Sequence, residues 1–248
     1  MIFQTAYFQM CGRNKSRNQD ALFNGVEAKH AKMNKSRIVE VSVSPIRVAV
    51  ADGVYSSEQP HLASRFWVNA WADNGACERA FFTRNFGRFC DEVSSVALGS
   101  STTFTGVVVQ GNGEFALCNI GDSRVYHIDV NGKWAKISHD HTLINEMIAK
   151  GEAEQGVEYS GVYGTLVQSL AADNESDDFG VFFAKGYLKM GETVLVCSDG
   201  LSDGVNTEDL ENLWNSETDL VAKLEELRRA VKLGEFYDDC SVICVQAA

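Results

Sequence analysis

Aspartates at the ends of apolar runs define the chemistry this chain can do. Ile46–Ala51 reads Ile-Arg-Val-Ala-Val-Ala and stops at Asp52-Gly53. The run 194–197 stops at Ser198-Asp199-Gly200, the run 115–120 at Gly121-Asp122, and Asp238-Asp239 stands just before the run 241–245. Continuous apolar runs of this length suit strands buried on both faces. A carboxylate at the end of such a strand is held rigidly at the rim of the core. Asp-Gly is also an ordinary turn dipeptide, so one instance says little. Repeated on several runs, the pattern is what a hard divalent cation needs, because Mg²⁺ is held by a few carboxylate oxygens plus retained waters.

The elements that must position these ends follow from periodicity. Residues 2–9 read as a first strand, and 38–43 alternates apolar and polar as a half-buried strand does. Further strands are expected at 107–109, 114–120, 124–128, 179–184, 193–197 and 241–245. Residues 12–18 form a polar, basic loop; 21–36 are poorly patterned, with Lys29, Lys32 and Lys35 solvated. Ala63, Phe66, Trp67, Ala70 and Trp71 recur at helical spacing, and so do Phe82, Phe86, Phe89, Val93 and Val96. Aromatic stripes of this kind belong to a core rather than to a cofactor site. Residues 100–106 are a small, hydroxyl-rich lead-in to a strand. Residues 142–150 form a short amphipathic helix closed by Gly151. Thr207 is the expected cap of a helix carrying Leu210, Leu213 and Trp214. Leu220, Leu224, Leu227 and Val231 stripe a last helix, closed by Gly234. The polar, glycine-rich segment 152–178 is long enough to be a functional lid. Strands and helices do not alternate regularly, which points to segregated layers, an α+β fold. No Pro- or Ser-rich linker divides the chain, so one domain is expected.

Composition narrows the partners. The net charge of -12 argues against a nucleic-acid backbone. The seven cysteines include no Cys-x-x-Cys pair, which suits reduced thiols in the cytoplasm. The N-terminus lacks the basic-then-apolar layout of a signal peptide, and no apolar run approaches the ~20 residues that span a bilayer. A cytoplasmic monomer without membrane contact is the expectation.

Six short motifs carry a resemblance. Arg17-Asn18-Gln19-Asp20, Ala51-Asp52-Gly53, Gly121-Asp122-Ser123-Arg124, Asp140-His141, Ser198-Asp199-Gly200-Leu201 and Asp238-Asp239 are similar, in order and approximate spacing, to those of the metal-dependent Ser/Thr protein phosphatases. These are the type 2C phosphatases, here in their compact bacterial form, and the resemblance runs from residue 2 to residue 245. It implies a four-layer α-β-β-α sandwich of two antiparallel sheets flanked by helix pairs. Residues 1–248 would be a single phosphatase domain, with a flap-like insertion around 152–178. It also implies two Mn²⁺ or Mg²⁺ ions that activate a hydroxide between them to hydrolyse phosphoserine or phosphothreonine. In that scheme Asp52 bridges both ions and the Gly53 carbonyl ligates one. Asp199 and Asp238 complete the second ion's shell, Asp20 orients metal-bound water, and Asp122 matches the aspartate of a weaker third ion. The implied partner is a phosphorylated protein, the target of a Ser/Thr kinase.

Three positions depart from the family pattern. Lys15 stands where the family places the arginine that holds substrate phosphate; it supplies charge without the bidentate fork, and Arg17 or Arg13, displaced by two residues, is the nearby substitute. Val54, Tyr55 and Ser56 follow Gly53 where a residue and two glycines are usual, and Asp239 takes an asparagine's place. These departures motivate the alternative: a weakly active or inactive phosphoprotein-binding regulatory module on the same fold. A thiol phosphatase is a further rival, since Cys11 to Arg17 and Cys118 to Arg124 both fit Cys-x₅-Arg. That chemistry needs a helix N-terminus after the loop, which neither copy provides. There is no Asp-x-Asp for an aspartyl-phosphate enzyme and no Gly-x₄-Gly-Lys for a P-loop kinase.

Overall fold

Strand alternation sorts the apolar residues into three cores. The computed structural model describes residues 1–157, 159–160, 165–173 and 179–248. In chain order, β1 (Phe3–Met10), β2 (Ala21–Phe23), β3 (Ala28–Lys29), β4 (Arg37–Val39) and β5 (Ile46–Ala51) come first. Then α1 (Pro60–Asn74) and α2 (Arg79–Phe89) follow, α2 running on through a π-turn at Cys90–Ser94. Next are β6 (Ser101–Thr102), β7 (Phe104–Val109), β8 (Glu114–Ile120), β9 (Arg124–Ile128), β10 (Trp134–Lys136) and α3 (Leu143–Lys150). The chain ends with β11 (Leu170–Ala171), β12 (Phe182–Tyr187), β13 (Thr193–Cys197), α4 (Asp199–Ser202), α5 (Thr207–Asn215), α6 (Leu220–Leu233) and β14 (Cys240–Ala247).

One large sheet has the order β10-β9-β13-β14-β1-β4 and the other β12-β8-β7-β5-β2-β3. Their strand pairs are antiparallel throughout. Val48 and Val50 of β5, with Val194 and Val196 of β13, fill the space between the sheets. The intervening residues point outward. Ala49 and Ala51 face α1 and α2, whereas Leu195 and Cys197 face α5 and α6. The result is the α-β-β-α layering that the motifs imply.

The outer core under α1 and α2 is aromatic. The Trp67 ring lies 5.4 to 6.3 Å from those of Phe81, Phe82, Phe89 and Phe104. The sheet makes room by carrying small residues there. A Cβ on Gly106 would come within 2.7 Å of the Trp71 ring.

Several boundaries differ from the sequence reading. The strand expected at 38–43 ends at Val39, where its ladder with β1 stops opposite Thr5. Val41 instead packs under Gly25, where a Cβ would be 2.8 Å away. The poorly patterned 21–36 contains β2 and β3, too short to show a period. The strand expected at 179–184 lies at Phe182–Tyr187, in register with β8. Asn206, not Thr207, caps α5, its side chain accepting from Asp209 N–H at 2.9 Å. Of the flap expected at 152–178, residues 158, 161–164 and 174–178 lie outside the described residues. Within it, β11 pairs with β6. Among the described residues no helix is long and apolar enough to cross a membrane.

Urea unfolding tests the packing. Trp67→Ala should cost about 3–5 kcal/mol by leaving a cavity among aromatic rings. Gly106→Ala, which adds a single methyl, should still cost about 1–3 kcal/mol by driving into Trp71. A neutral Gly106→Ala would contradict this contact.

Candidate metal centre

Backbone hydrogen bonds fix each aspartate before charge enters. Asp52 directly follows β5. Its N–H donates to Thr103 Oγ1 at 3.0 Å, and its carbonyl accepts from Thr103 N–H and Thr102 Oγ1, each at 2.8 Å. The hydroxyl-rich run at 100–106 therefore clamps the end of β5. Thr103 Oγ1 also shares a hydrogen bond with Ser123 Oγ at 2.8 Å, beside Asp122. The turn before Asp122 needs glycine: Gly121 has φ +92°, and a Cβ there would strike Thr103. Gly53 needs to be small for another reason. A Cβ on it would lie 2.8 Å from Pro60 and 2.9 Å from the Gln19 carbonyl, so the strand carrying Asp52 packs directly against the loop carrying Asp20.

The second sheet supplies Asp199 at the start of α4. One hydroxyl ties this end together. Ser198 Oγ accepts from Ser241 N–H and donates to Asp20 Oδ2, both at 2.9 Å, linking β13, β14 and the Asp20 loop. Asp20 N–H in turn donates to Asn18 Oδ1 at 2.9 Å.

The gathered carboxylates repel. Burial pushes Asp20 up to about 8, with Asp239 and Asp199 adding to the rise and hydrogen bonds from Ser241 and Ser198 opposing it. Asp52 is raised well above the carboxylate range by burial and by Asp20, Asp199 and Asp122. Burial and the nearby Asp199 lift Asp122 to about 7. Asp199 is raised by burial, its hydrogen bond with Asp52 pulling the other way. Asp20 Oδ1 is buried with no hydrogen-bond partner among the described residues. Oxygen-only donors, mutual repulsion and an orphaned buried oxygen are what a hard divalent cation would relieve. Among the described residues no group of three or more His, Cys, Asp or Glu side chains is arranged to hold a metal ion by itself. A cation that keeps its waters needs roughly one or two carboxylates, and the Gly53 carbonyl adds a further oxygen.

Asp238 and Asp239 divide their work. Asp239 is buried and organises the preceding loop. It accepts from Gly12 N–H at 2.7 Å, Gln19 N–H at 2.9 Å and Lys15 Nζ at 3.1 Å. Asp238 is half exposed, pairs with Lys15 Nζ, and faces a cleft of about 500 Å³ also lined by Asp199, Lys15, Arg13 and Tyr55. Lys15 Nζ additionally reaches Gln19 Oε1 at 2.8 Å and stands over the Tyr55 ring. Lys15 is thus in the cleft, its charge already engaged by two carboxylates. Arg17 is elsewhere: its guanidinium lies 2.6 Å from His61 Nε2, and it is absent from the cleft lining.

The remaining motif residues are structural. Asp140 is closed off by Arg124 at 2.8 Å and Lys136 at 2.9 Å, and His141 N–H donates to the Gly121 carbonyl at 3.0 Å, bracing the Asp122 turn. The thiol reading fails on geometry. Cys11 is buried, its thiol raised by burial and by Asp239, and its arginine, Arg17, is turned to His61. Cys118 is buried inside β8 and pushed well up, and Arg124 is held by Asp140. Among the cleft-lining residues that the sequence reading missed, Asp203 is the acidic one. Asp203 lines the cleft one turn beyond Asp199, its N–H donating to the Asp199 carbonyl at 2.8 Å. The spacing of four from Asp199 at a helix start was the available signal.

Comparison with known proteins supplies a family and a shared fold. A family model, Protein phosphatase 2C, matches residues 90–236, more than half of the chain. The Serine/threonine phosphatase stp of Listeria innocua is 27% identical over 195 residues, covering 72% of this chain and 75% of the relative. The protein of the same name from Listeria welshimeri is 27% identical over 130 residues, 51% of this chain and 49% of the relative, so the match spans about half that relative's length. The crystal structure of the Mycobacterium tuberculosis serine/threonine phosphatase PstP/Ppp shares the fold, with a TM-score of 0.78 at 20% identity over 100% of this chain and 99% of that one. The catalytic domain of PstP in complex with two manganese ions superposes with a TM-score of 0.69 at 20% identity, covering 99% of each chain. On the family match and the shared fold, this chain belongs to the protein phosphatase 2C family.

Proposed function

We propose that this chain is a single-domain, metal-dependent phosphatase that hydrolyses phosphoserine and phosphothreonine in proteins. The carrying observation is the convergence of Asp52 and Asp199, from the ends of strands in opposite sheets, with Asp20 and Asp122 in one repelling, oxygen-only cluster that reaches the cleft at Asp199. Asp52, the Gly53 carbonyl, Asp199 and Asp238 would hold two Mn²⁺ or Mg²⁺ ions, and Asp122 a weaker third. Bound there, such ions supply a nucleophile at neutral pH and neutralise charge on the transferred phosphoryl group.

The chain's own residues do the rest. Ser198 fixes the orientation of Asp20, whose unpartnered Oδ1 would accept a hydrogen bond from an attacking water. Lys15 and Arg13 bring positive charge to the cleft for the substrate phosphate. Arg17 would serve that role only by leaving His61. The buried thiols take no part. Seven free cysteines suit a reducing compartment, and a kinase-phosphorylated protein in the cytoplasm is the proposed substrate.

One observation favours the second reading, a phosphoprotein-binding module with weak catalysis. Lys15 is already spent on Asp238 and Asp239, so it would have to give up a carboxylate to meet phosphate.

Hydrolysis of p-nitrophenyl phosphate with Mn²⁺ separates the two. Asp52→Asn and Asp199→Asn should each lower kcat/KM roughly a hundred- to a thousandfold, the loss of several kcal/mol of transition-state charge stabilisation. Substrate binding without turnover in the unmutated chain would favour the module.

Stability should also report the cluster. Carboxyl groups raised to about 8 at Asp20 and about 7 at Asp122 bind more protons folded than unfolded between the ordinary carboxylate range and those values. Stability in EDTA should therefore fall as pH rises from 5 to 8, and Mn²⁺ should raise Tm more at pH 8 than at pH 5. A Tm in EDTA that climbs across this window would contradict the account.

A further inference from the structure

The chain is acidic overall, yet seven of its 22 Lys and Arg residues fall within residues 11–37, against two acids, Asp20 and Glu27. The fold does not scatter them. Lys29, Lys32, Lys35 and Arg37 line a groove of about 380 Å³ beside β1, at the edge where β4 ends its sheet. Lys32, Lys35 and Arg37 are exposed. Among the described residues none of these three forms an ion pair. Lys29 is held by Glu27 at 2.6 Å.

This groove neighbours the cleft, with one small pocket between them. Lys32, Met33 and Asn34 also line a small pocket of about 40 Å³ with Lys232 and Tyr237. Tyr237 in turn lines the catalytic cleft, where Arg13 and Lys15 lie. Lys32 and Tyr237, which line this small pocket together, thus stand between the basic groove and the cleft. The groove's floor is rigid. Met33 N–H donates to the Gln9 carbonyl at 2.9 Å, and Asn18 Nδ2 donates to the Ala31 carbonyl at 3.2 Å, tying the basic segment to the strand and loop that carry Asp20.

Edge strands carry lysine to block edge-to-edge pairing, and Arg37 alone would serve that purpose. Edge protection does not explain Lys32, which leaves the edge and also lines the pocket nearer the cleft. Four cations, Lys29, Lys32, Lys35 and Arg37, are spread along the groove, so it suits an extended acidic chain rather than a compact anion. The surrounding negative charge disfavours a nucleic acid.

We propose that this groove binds an acidic segment flanking the phosphorylated residue of the substrate protein, so that the enzyme prefers phosphosites with Asp or Glu on one side. The proposal rests on the phosphatase reading for its biological sense, but it is tested by binding as well as by turnover.

The probes are two fluorescein-labelled phosphothreonine peptides, identical except for an Asp/Glu-rich or a Gly/Ser-rich flank. In fluorescence anisotropy the acidic peptide should bind about tenfold more tightly, as expected for exposed complementary charge, and the difference should shrink with added salt. K32E/K35E/R37E should erase the difference. The neutral K32Q/K35Q should reduce it, guarding against misfolding on charge reversal. Hydrolysis of p-nitrophenyl phosphate, which does not reach the groove, should be unchanged in both variants. Equal affinity of the two peptides in the unmutated chain, or an acidic preference that survives both variants, would overturn the proposal. Loss of p-nitrophenyl phosphate hydrolysis in the unmutated chain would overturn the phosphatase reading alone, since the anisotropy still reports the groove. Tighter binding of a single-stranded oligonucleotide than of the acidic peptide would assign the groove to nucleic acid and would equally overturn the proposal.

Discussion

The structure depends on holding several carboxylates together where they repel. Asp20, Asp52, Asp122 and Asp199 lie at the junction of two sheets, partly or wholly out of water, and each is pushed up by burial. Repulsion of this kind would open the junction if the backbone were free to yield. It is not. Thr102 and Thr103 grip Asp52, Ser198 grips Asp20, and Gly53 lets the two backbones pack closely. The valine-rich core between the sheets and the aromatic core under α1 supply the stability against which this arrangement is maintained. Binding sites are commonly strained in this sense, with local cost met by the scaffold.

The second organising contact is Asp239. Its buried carboxylate collects Gly12 N–H, Gln19 N–H and Lys15, so the end of the chain sets the shape of the loop after β1. Asparagine there could accept fewer hydrogen bonds and would not hold a lysine by charge. The departures at Lys15 and Asp239 therefore belong together: the extra negative charge and the lysine form one pair. The same loop links the cleft to the basic groove through Asn18 and Ala31.

Much of this was legible in the sequence where the signal is local. An aspartate after a run of valine and alanine marks a strand end wherever it occurs, and Asp52, Asp122 and Asp199 were found that way. Helical stripes of Trp67 and Phe82 gave α1 and α2. Contacts between distant residues were not legible. Gly12 and Asp239 are 227 positions apart, and no local pattern tells which of two adjacent aspartates turns inward. Nor could the direction of Arg17 be read, because in an extended loop alternate side chains face opposite ways and His61 claims this one. Strands of two or three residues, such as β2 and β3, are shorter than the period that would reveal them. Lys29, Lys32 and Lys35 looked like an ordinary solvated face, since their shared groove exists only once β4 lies beside β1.

The most direct test of the central claim is anomalous diffraction at the manganese edge from crystals soaked in MnCl₂. Peaks should appear between Asp52 and Asp199, within about 2.0–2.3 Å of their carboxylate oxygens and of the Gly53 carbonyl, as hard-cation coordination requires. Manganese found only elsewhere, with Asp52 and Asp199 still hydrogen-bonded to each other, would contradict the account.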